Sequence, residues 1–161
     1  MPIIAIEEKH WEQIMTVQAD AYDSIIPESL ATLRSKWAHS PRTCFAFEDS
    51  QEITAYLLAH AWDSLEPPKL YKPLPTSTGG NILFLHDLAI MKKHAGEGIG
   101  KKMVEHLLTQ ALASDFTKIV LVSVQQSSAF WSKFGFTSQE QSLSNENYGA
   151  GAIVMIKTLI K

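Results

Sequence analysis

Two ionisable side chains and three glycines stand close together near the middle of the chain. His86 and Asp87 lie within an apolar run, residues 83–90, whose length and composition predict a strand buried on both faces. A polar turn with glycines at alternate positions follows this run. Histidine and aspartate can accept a proton from a reacting group, and glycine lets an anion approach the backbone closely. The stretch therefore indicates acid–base chemistry beside an anion-binding loop.

The glycine turn leads into a segment with helical periodicity. Apolar residues recur along one stripe at Ile99, Met103 and Leu107. The first backbone amides of a helix have no partner inside it, and the helix dipole is positive at that end. Lys101 and the lysine after it add positive charge. A strand, a glycine turn and a helix N-terminus in this order favour a phosphate or pyrophosphate site. The alternative is a turn that needs glycines only for close packing.

Two familiar phosphate loops do not fit this turn. The mononucleotide loop requires the pattern G-x-x-x-x-G-K-[ST], but Lys102 follows Gly100 and Lys101, and the glycine spacing is wrong. The dinucleotide fingerprint requires a third glycine where Met103 stands. A nucleotide-binding α/β module is therefore only an outside alternative.

A third pattern does fit. The segment AGEGIGKKMVEHLL, after a strand that ends in LAI, resembles the acetyl-CoA-binding motif of the GNAT superfamily of N-acetyltransferases, whose loop reads Q/R-x-x-G-x-G/A. Gly98 and Gly100 match its glycines, whereas Ala95 replaces the Gln or Arg. The segment FWSKFGF resembles the family's F-Y-x-K-x-G-F signature, with Trp131 in place of the tyrosine. The resemblance extends from about Thr43 to the C-terminus.

The resemblance implies an α/β fold in which a mixed, mostly antiparallel central sheet is flanked by helices. Two parallel strands, expected at residues 83–90 and 118–124, would splay apart at the CoA site. The backbone of the first would pair with the pantetheine arm, and the loop amides would hold the pyrophosphate. His94, Lys93 or Lys101 would supply the charge lost at Ala95. The implied cofactor-binding residues are Leu88, Ala89, Ile90, Ala95, Gly96, Glu97, Gly98, Ile99, Gly100, Lys101, Phe130 and Trp131.

The implied reaction is direct transfer of an acetyl group from acetyl-CoA to an amine of a small molecule or peptide. The amine must be neutral to attack, so a base or a water chain must take its proton. His86 and Asp87 are the candidate bases. Because side chains alternate along a strand, the two are expected to point to opposite faces, with at most one facing the acceptor. A purely structural role for both is the alternative.

Trp131 is the most informative departure from the family pattern. In many relatives the tyrosine at this position protonates the leaving thiolate, which an indole N–H cannot do at ordinary pH. Tyr148, Ser127 or Ser128 would be the substitutes, or the thiolate leaves unprotonated. Trp131 would then form a wall of the CoA arm. A second class of function therefore stays open, that of a GNAT-like protein that binds acyl-CoA as a sensor or subunit with little catalysis.

The first helices are expected at residues 7–22 and 27–37, after a strand at 2–6. Leu30, Leu33, Arg34 and Trp37 share the predicted inner face of the second helix. In the resembled fold the loop between these helices borders the acceptor, where Tyr22, Asp23 and Glu28 would face an amine; the alternative is a solvated cap and turn. Further strands are predicted at 43–47 and 53–61, a proline-rich connection at 63–81, a helix at 127–134, and an antiparallel pair at 136–142 and 152–159.

Composition sets the remaining expectations. A chain of 161 residues with 45% hydrophobic and 19% charged residues is expected to form one domain, residues 1–161. The net charge of −3 argues against nucleic-acid and anionic-membrane partners. The single cysteine, Cys44, is expected to be a buried core thiol, which suits the cytoplasm. We expect no signal peptide and no membrane span. We also expect no metal site, because no histidine pair has the spacing of metal ligands together with a third ligand. A homodimer is left open.

Overall fold

The structure is a computed structural model that describes residues 2–22, 27–68, 80–124, 127–139 and 152–160. Its strands are β1 (Ile3–Ala5), β2 (Cys44–Asp49), β3 (Glu52–Trp62), β4 (Ile82–Ile90), β5 (Lys118–Ser123), β6 (Thr137–Ser138) and β7 (Ile153–Thr158). Its helices are α1 (Trp11–Ala21), α2 (Leu30–His39), α3 (Ile99–Leu112) and α4 (Ser128–Ser132), with 3₁₀ turns at Glu8–His10, Pro41–Thr43 and Lys92–His94. No helix in the described ranges is long and apolar enough to cross a membrane.

The described strands form one seven-stranded sheet in the order β1-β2-β3-β4-β5-β7-β6. The β4–β5 pair is parallel, and the other neighbouring pairs are antiparallel. This confirms the expected mixed, mostly antiparallel sheet with one parallel junction. The predicted last antiparallel pair is present as β6 and β7. Residues 140–142 of the first predicted strand of that pair, and residues 69–79 of the proline-rich connection, lie outside the described residues.

The helices cover both faces of the sheet. On one face, α3 buries its predicted stripe, including Met103 and Leu107, against apolar residues of the central strands. On the other face, α1 and α2 bury Trp11, Ile14 and Leu33. Cys44 belongs to this second cluster, and burial raises the pKa of its thiol to about 12, as expected for a core thiol. We call these the α3 face and the α1/α2 face of the sheet.

The second helix differs from the prediction in its start and in its inner face. It begins at Leu30 because Ser29 caps it, accepting a hydrogen bond from the Thr32 amide at 3.1 Å. Its buried residues are Thr32, Leu33 and Lys36. The predicted positions of Leu30 and Arg34 on the inner face are wrong, since Leu30 is 42% exposed and Arg34 pairs with Glu8 at the surface. The cap therefore sets the start of the helix, and the observed inner face includes a lysine.

The parallel junction opens partway along β4. The β4–β5 ladder runs from Ile82↔Lys118 to Leu85↔Leu121 and ends there. On its other side, β4 stays paired with β3 as far as Ala55↔Ile90. The backbone of residues 86–90 is therefore free of β5 among the described residues, as the expected splay requires.

Candidate active site

The glycine loop uses its glycines for two different reasons. Gly96 and Gly98 have φ values of +84° and +80°, and a Cβ built on either would meet no heavy atom within 4 Å. They are therefore needed for the left-handed backbone and leave the surface of the loop open. At Gly100 a Cβ would lie 3.1 Å from Ile90 Cδ1 and 3.3 Å from Phe130 Cζ. Gly100 is needed for close packing between the end of β4 and α4, which confirms the packing interpretation at this position; the phosphate site at the loop stays a prediction.

Backbone amides converge at the start of α3. The Lys102 amide donates to the Gly98 carbonyl at 3.2 Å, which makes it the first amide of α3 with a helical acceptor. The three amides before it, at residues 99–101, belong to the first turn and have no acceptor inside the helix. The Lys92 amide donates to Asp20 Oδ2 at 2.7 Å and ties the loop to the end of α1. The loop is held in place, and its Glu97 amide donates to the His94 carbonyl at 3.4 Å, whereas the amides at residues 99–101 lack a helical acceptor, which suits a pyrophosphate group.

Of the three charges proposed to replace the family's Gln or Arg, two are already paired. His94 Nδ1 lies 3.1 Å from Glu97 Oε1. Lys93 Nζ lies 3.1 Å from Glu52 Oε1. Lys101 is exposed in the first turn of α3, and no hydrogen bond or ion pair joins it to another described residue. Lys101 is therefore the cation best placed for an anion at the loop. An open strand edge, amides without a helical acceptor and this lysine together fit an acyl-CoA.

A β-bulge changes the direction of the two candidate bases. Ala59 pairs with Leu85 and Leu58 pairs with Asp87, so His86 is an extra residue in β4. The alternation therefore shifts by one residue at this point. His86 and Asp87 both contact residues of the α1/α2 side. The prediction that the two side chains point to opposite faces is wrong, because a regular strand was assumed.

His86 is oriented by a buried carboxylate. Its Nε2 atom lies 2.5 Å from Glu28 Oε1, and the two side chains are 1% and 7% exposed. Glu28 is itself fixed by Gln18, which accepts from its amide at 3.1 Å and donates to its carbonyl at 3.0 Å. A carboxylate can only accept, so His86 Nε2 carries a hydrogen, and in the neutral form of the imidazole Nδ1 then carries the lone pair. That Nδ1 atom is buried and has no hydrogen-bond partner.

Asp87 is held between two tyrosines. Tyr22 Oη lies 2.6 Å from Asp87 Oδ1, and Tyr56 Oη lies 2.6 Å from Asp87 Oδ2. Tyr22 Oη also lies 2.9 Å from the Leu88 carbonyl oxygen, within the open segment of β4. Burial raises the pKa of Asp87 above its ordinary value. Burial also raises the pKa of both phenols well above 10.0, and ionisation of Asp87 would raise it further.

The α1/α2 face contains ionisable groups that the sequence interpretation missed. Tyr56, Lys36 and His60 are all fully buried. Burial lowers the pKa of Lys36, against the opposing charge of Glu28, and lowers the pKa of His60 to about 3. The available signal was alternation, since Tyr56, Leu58 and His60 occupy every second position of β3. Tyr22 and Glu28 form buried hydrogen bonds, so the solvated-cap alternative is wrong for them; Asp23 lies outside the described residues.

Trp131 lies in the core of the α3 face. It is 7% exposed and packs edge-on against Phe130 and Phe136, with ring centroids 4.9 Å and 5.7 Å away. Among the proposed substitutes for the tyrosine, Ser127 Oγ lies 3.0 Å from Ser123 Oγ, at the end of β5. Tyr148 lies outside the described residues. Trp131 is thus an apolar packing residue. It lies near the glycine loop, because the Phe130 ring that it packs against also lies next to Gly100.

Three solved structures share this fold. The ribosomal-protein-S18-alanine N-acetyltransferase from Escherichia coli has a TM-score of 0.70 at 13% identity, with 99% of this chain and 94% of that chain covered. Naa20 from Chaetomium thermophilum, in complex with a bisubstrate analogue, has a TM-score of 0.72 at 16% identity, covering 99% and 87%. The GNAT-like decarboxylase GphF, in complex with isobutyryl-CoA, has a TM-score of 0.78 at 14% identity, covering 99% and 100%.

Sequence comparison gives the family. No curated protein sequence matches the chain significantly. The profile of the acetyltransferase (GNAT) family matches residues 11–136, a range that includes α1, the bulged strand, the glycine loop and the FWSKFGF segment. This match extends over more than half of the chain, and the protein therefore belongs to the GNAT acetyltransferase family.

Proposed function

We propose that the protein is an N-acetyltransferase that transfers the acetyl group of acetyl-CoA directly to an amine of a small molecule or peptide. The observation that carries this proposal is the position of the opening in the sheet. The β4–β5 ladder ends at Leu85, and the next residue, His86, carries a buried nitrogen without a partner. The glycine loop follows directly after this strand in the sequence. An anion site and a base candidate are thus joined by one short stretch of open backbone.

The cofactor-binding role rests on the α3 side of the opening. The free backbone of Leu88, Ala89 and Ile90 would pair with the arm of the CoA, and the amides at residues 96–101 would hold its pyrophosphate. Lys101 would balance the charge, with Ala95 contributing backbone only. Phe130 and Trp131 would provide apolar surface next to the loop. When bound, acetyl-CoA supplies the activated acyl group.

The base role rests on His86. The Glu28 carboxylate fixes the tautomer of the imidazole and stabilises the cation formed when Nδ1 takes a proton from the amine. Nucleophile activation by a base that a third group orients is a recurring arrangement in acyl transfer. Asp87, the other candidate, has both carboxyl oxygens engaged by tyrosines. The geometry therefore favours His86 as the base and leaves Asp87 for another task.

A binding protein with little catalysis is the second candidate. It is favoured by Ala95 and Trp131, which replace two functional side chains of the family motifs, and by the burial of Trp131 in the core. The single domain over residues 1–161, the cytoplasmic location and the homodimer stay predictions, as does the lack of metal, nucleic-acid and membrane partners.

Thiol release separates the two candidates. Acetyl-CoA is incubated with the protein and a panel of amines, including primary alkylamines, lysine peptides and peptides with free N-termini. An N-acetyltransferase releases free thiol in proportion to the acetylated amine detected by mass spectrometry. Saturable CoA binding by isothermal titration, without amine-dependent thiol release for any acceptor, would establish the binding protein instead.

A further inference from the structure

We propose that Asp87 rests as a neutral carboxylic acid and stores the proton that Tyr22 delivers to the leaving thiolate. This proposal rests on the proposed acetyl transfer for its purpose, but the protonation of Asp87 can be measured without any reaction. The family's usual donor position is occupied by Trp131, so any proton that the thiolate receives comes from another group. The Tyr56–Asp87–Tyr22 cluster is a continuous chain of oxygen atoms that ends at the open backbone of β4.

A count of hydrogens supports the neutral carboxyl. Three oxygen–oxygen contacts need one hydrogen each: Tyr56 Oη to Asp87 Oδ2, Asp87 Oδ1 to Tyr22 Oη, and Tyr22 Oη to the Leu88 carbonyl. Each phenol supplies one hydrogen, and the Leu88 carbonyl supplies none. With an ionised carboxylate, Tyr22 can serve only one of its two contacts with good geometry. A hydrogen on Asp87 Oδ1 satisfies all three contacts.

The charges around Asp87 are consistent with this count. The ionisable groups that face it are Tyr22 from α1, Tyr56 from β3, Glu28 from the segment before α2, and His86 beside it on β4. Burial is the dominant influence and raises the pKa of the carboxyl; Glu28 acts in the same direction, while His86 and the two phenols oppose it. Burial of an acidic side chain without a cation at its oxygens favours the neutral form.

The proposed step is balanced as follows. The amine nitrogen forms a bond to the carbonyl carbon of the thioester and gives its proton to His86 Nδ1. The carbon–sulfur bond breaks, and its electron pair goes to sulfur, which takes the hydroxyl proton of Tyr22. Tyr22 takes the carboxyl proton of Asp87, which becomes a carboxylate. The proton that the amine gave to His86 Nδ1 returns to Asp87 through solvent. Each group of the cluster thereby regains its initial protonation state, and no further reactant is needed. Tyr22 touches the reacting atoms, and Asp87 acts through it.

Asp87→Asn is the matched variant, because asparagine reproduces the neutral acid. Its amide group can donate to Tyr22 while its carbonyl oxygen accepts from Tyr56, so the three contacts survive. The first measurement is an infrared spectrum of the protein alone at neutral pH. We expect the carbonyl stretch of a protonated carboxylic acid in the wild type and its loss in Asp87→Asn. Absence of that band from the wild type would overturn the proposal, whether or not the protein acetylates amines.

Stability gives a second measurement that is independent of turnover. Unfolded Asp87 ionises near its ordinary pKa of 3.8, whereas the folded carboxyl with its raised pKa keeps the proton to higher pH. Wild-type stability is therefore expected to fall relative to Asp87→Asn as the pH rises from 3.8 toward the folded pKa. A difference in melting temperature that does not vary with pH in this window would contradict a neutral carboxyl in the folded state.

Turnover then tests the donor role. Asp87→Asn and Tyr22→Phe are each expected to lower turnover by about 100-fold, the lower end of the range for a general acid, while CoA affinity stays within a few-fold. The wild-type rate should also fall at high pH as Asp87 loses its proton. A carboxylic-acid band in the wild type combined with undiminished turnover in Asp87→Asn would overturn the donor role.

Discussion

The two faces of β4 differ in how they are built. Toward α3 the strand presents Leu83 and Leu85 to an apolar core that several strands build, and the open strand, the glycine loop and α3 follow one another along the sequence. On the α1/α2 side, His86 and Asp87 meet polar partners that are 58, 65 and 31 residues away in sequence: Glu28, Tyr22 and Tyr56. The loop on the α3 side is contiguous in sequence and lies on an apolar core, whereas the polar cluster on the α1/α2 side is assembled from distant elements.

That difference separates two tasks. A cofactor arm with a phosphate end needs open backbone, amides and apolar walls, all of which a contiguous segment can provide. Proton transfer needs charged groups of defined geometry in a buried place, and burying such groups is unfavourable unless they pair. Pairing of Glu28 with His86 and of Asp87 with two tyrosines meets this requirement, apart from the unpartnered Nδ1 of His86. His60 Nε2, on the same face, is also buried without a partner, but burial lowers the pKa of His60 to about 3. At His86 the unpartnered nitrogen lies where the sheet opens, on an imidazole that Glu28 orients, and this combination points to a role in chemistry.

The largest expected effect is on stability and concerns the α3 side. Trp131→Ala removes a 7% exposed indole from the core and is expected to lower the free energy of unfolding by about 3–5 kcal/mol. Trp131→Phe keeps the packing and should retain most of the turnover per folded molecule. Urea denaturation and thiol release measure the two quantities. If Trp131→Phe folds normally and binds CoA but loses turnover, the indole N–H has a polar role and the α3 side is not purely apolar.

The next effect is on cofactor affinity. Gly98→Asp and Gly98→Asn are nearly equal in size, both tolerate a positive φ better than other residues, and a Cβ at this site meets nothing within 4 Å. Two like charges 4 Å apart near a surface repel by about 4 kcal/mol before screening, so Gly98→Asp is expected to weaken CoA binding by at least about 100-fold. Gly98→Asn should weaken it much less. Equal CoA affinities of the two variants in isothermal titration would show that the loop does not bind the pyrophosphate.

The smallest effect is on acid stability and concerns the α1/α2 side. The pKa of His60 is lowered from 6.5 to about 3, so its neutral form stabilises the fold above pH 6.5, and this contribution is lost as the pH falls toward 3. Over the first pH unit below 6.5, the window of this comparison, the loss is at most about 1.4 kcal/mol. His60→Asn can keep the bond that His60 Nδ1 makes to the Ala61 carbonyl at 3.0 Å and does not titrate. Thermal melts below pH 6.5 should show a smaller loss of stability in the variant. If the melting temperatures of wild type and variant fall equally with pH, the acid sensitivity belongs to a group other than His60.

The same contrast explains what the sequence revealed. The glycine loop and the α3 stripe could be predicted, because each depends on neighbouring residues and a regular period, and the parallel junction was implied by the family resemblance. The bulge at His86 could not, since an extra residue leaves no mark in an apolar run, and it reversed the direction expected for Asp87. The inner face of α2 was wrong because periodicity alone favoured Leu30 over Lys36, which is buried. Tyr56 was missed because its partner lies on another strand.

The most direct test of the division between the two sides is the single-turnover rate of His86→Gln, measured together with its CoA affinity. Glutamine can keep the donor to Glu28 that Nε2 provides and lacks the free nitrogen at the Nδ1 position. His60→Asn, on the same face, is the control and should have a normal rate. We expect the rate of His86→Gln to fall by about 10²–10⁴-fold with CoA affinity unchanged within a few-fold. A wild-type rate, or a loss of CoA affinity as large as the loss of rate, would contradict the account.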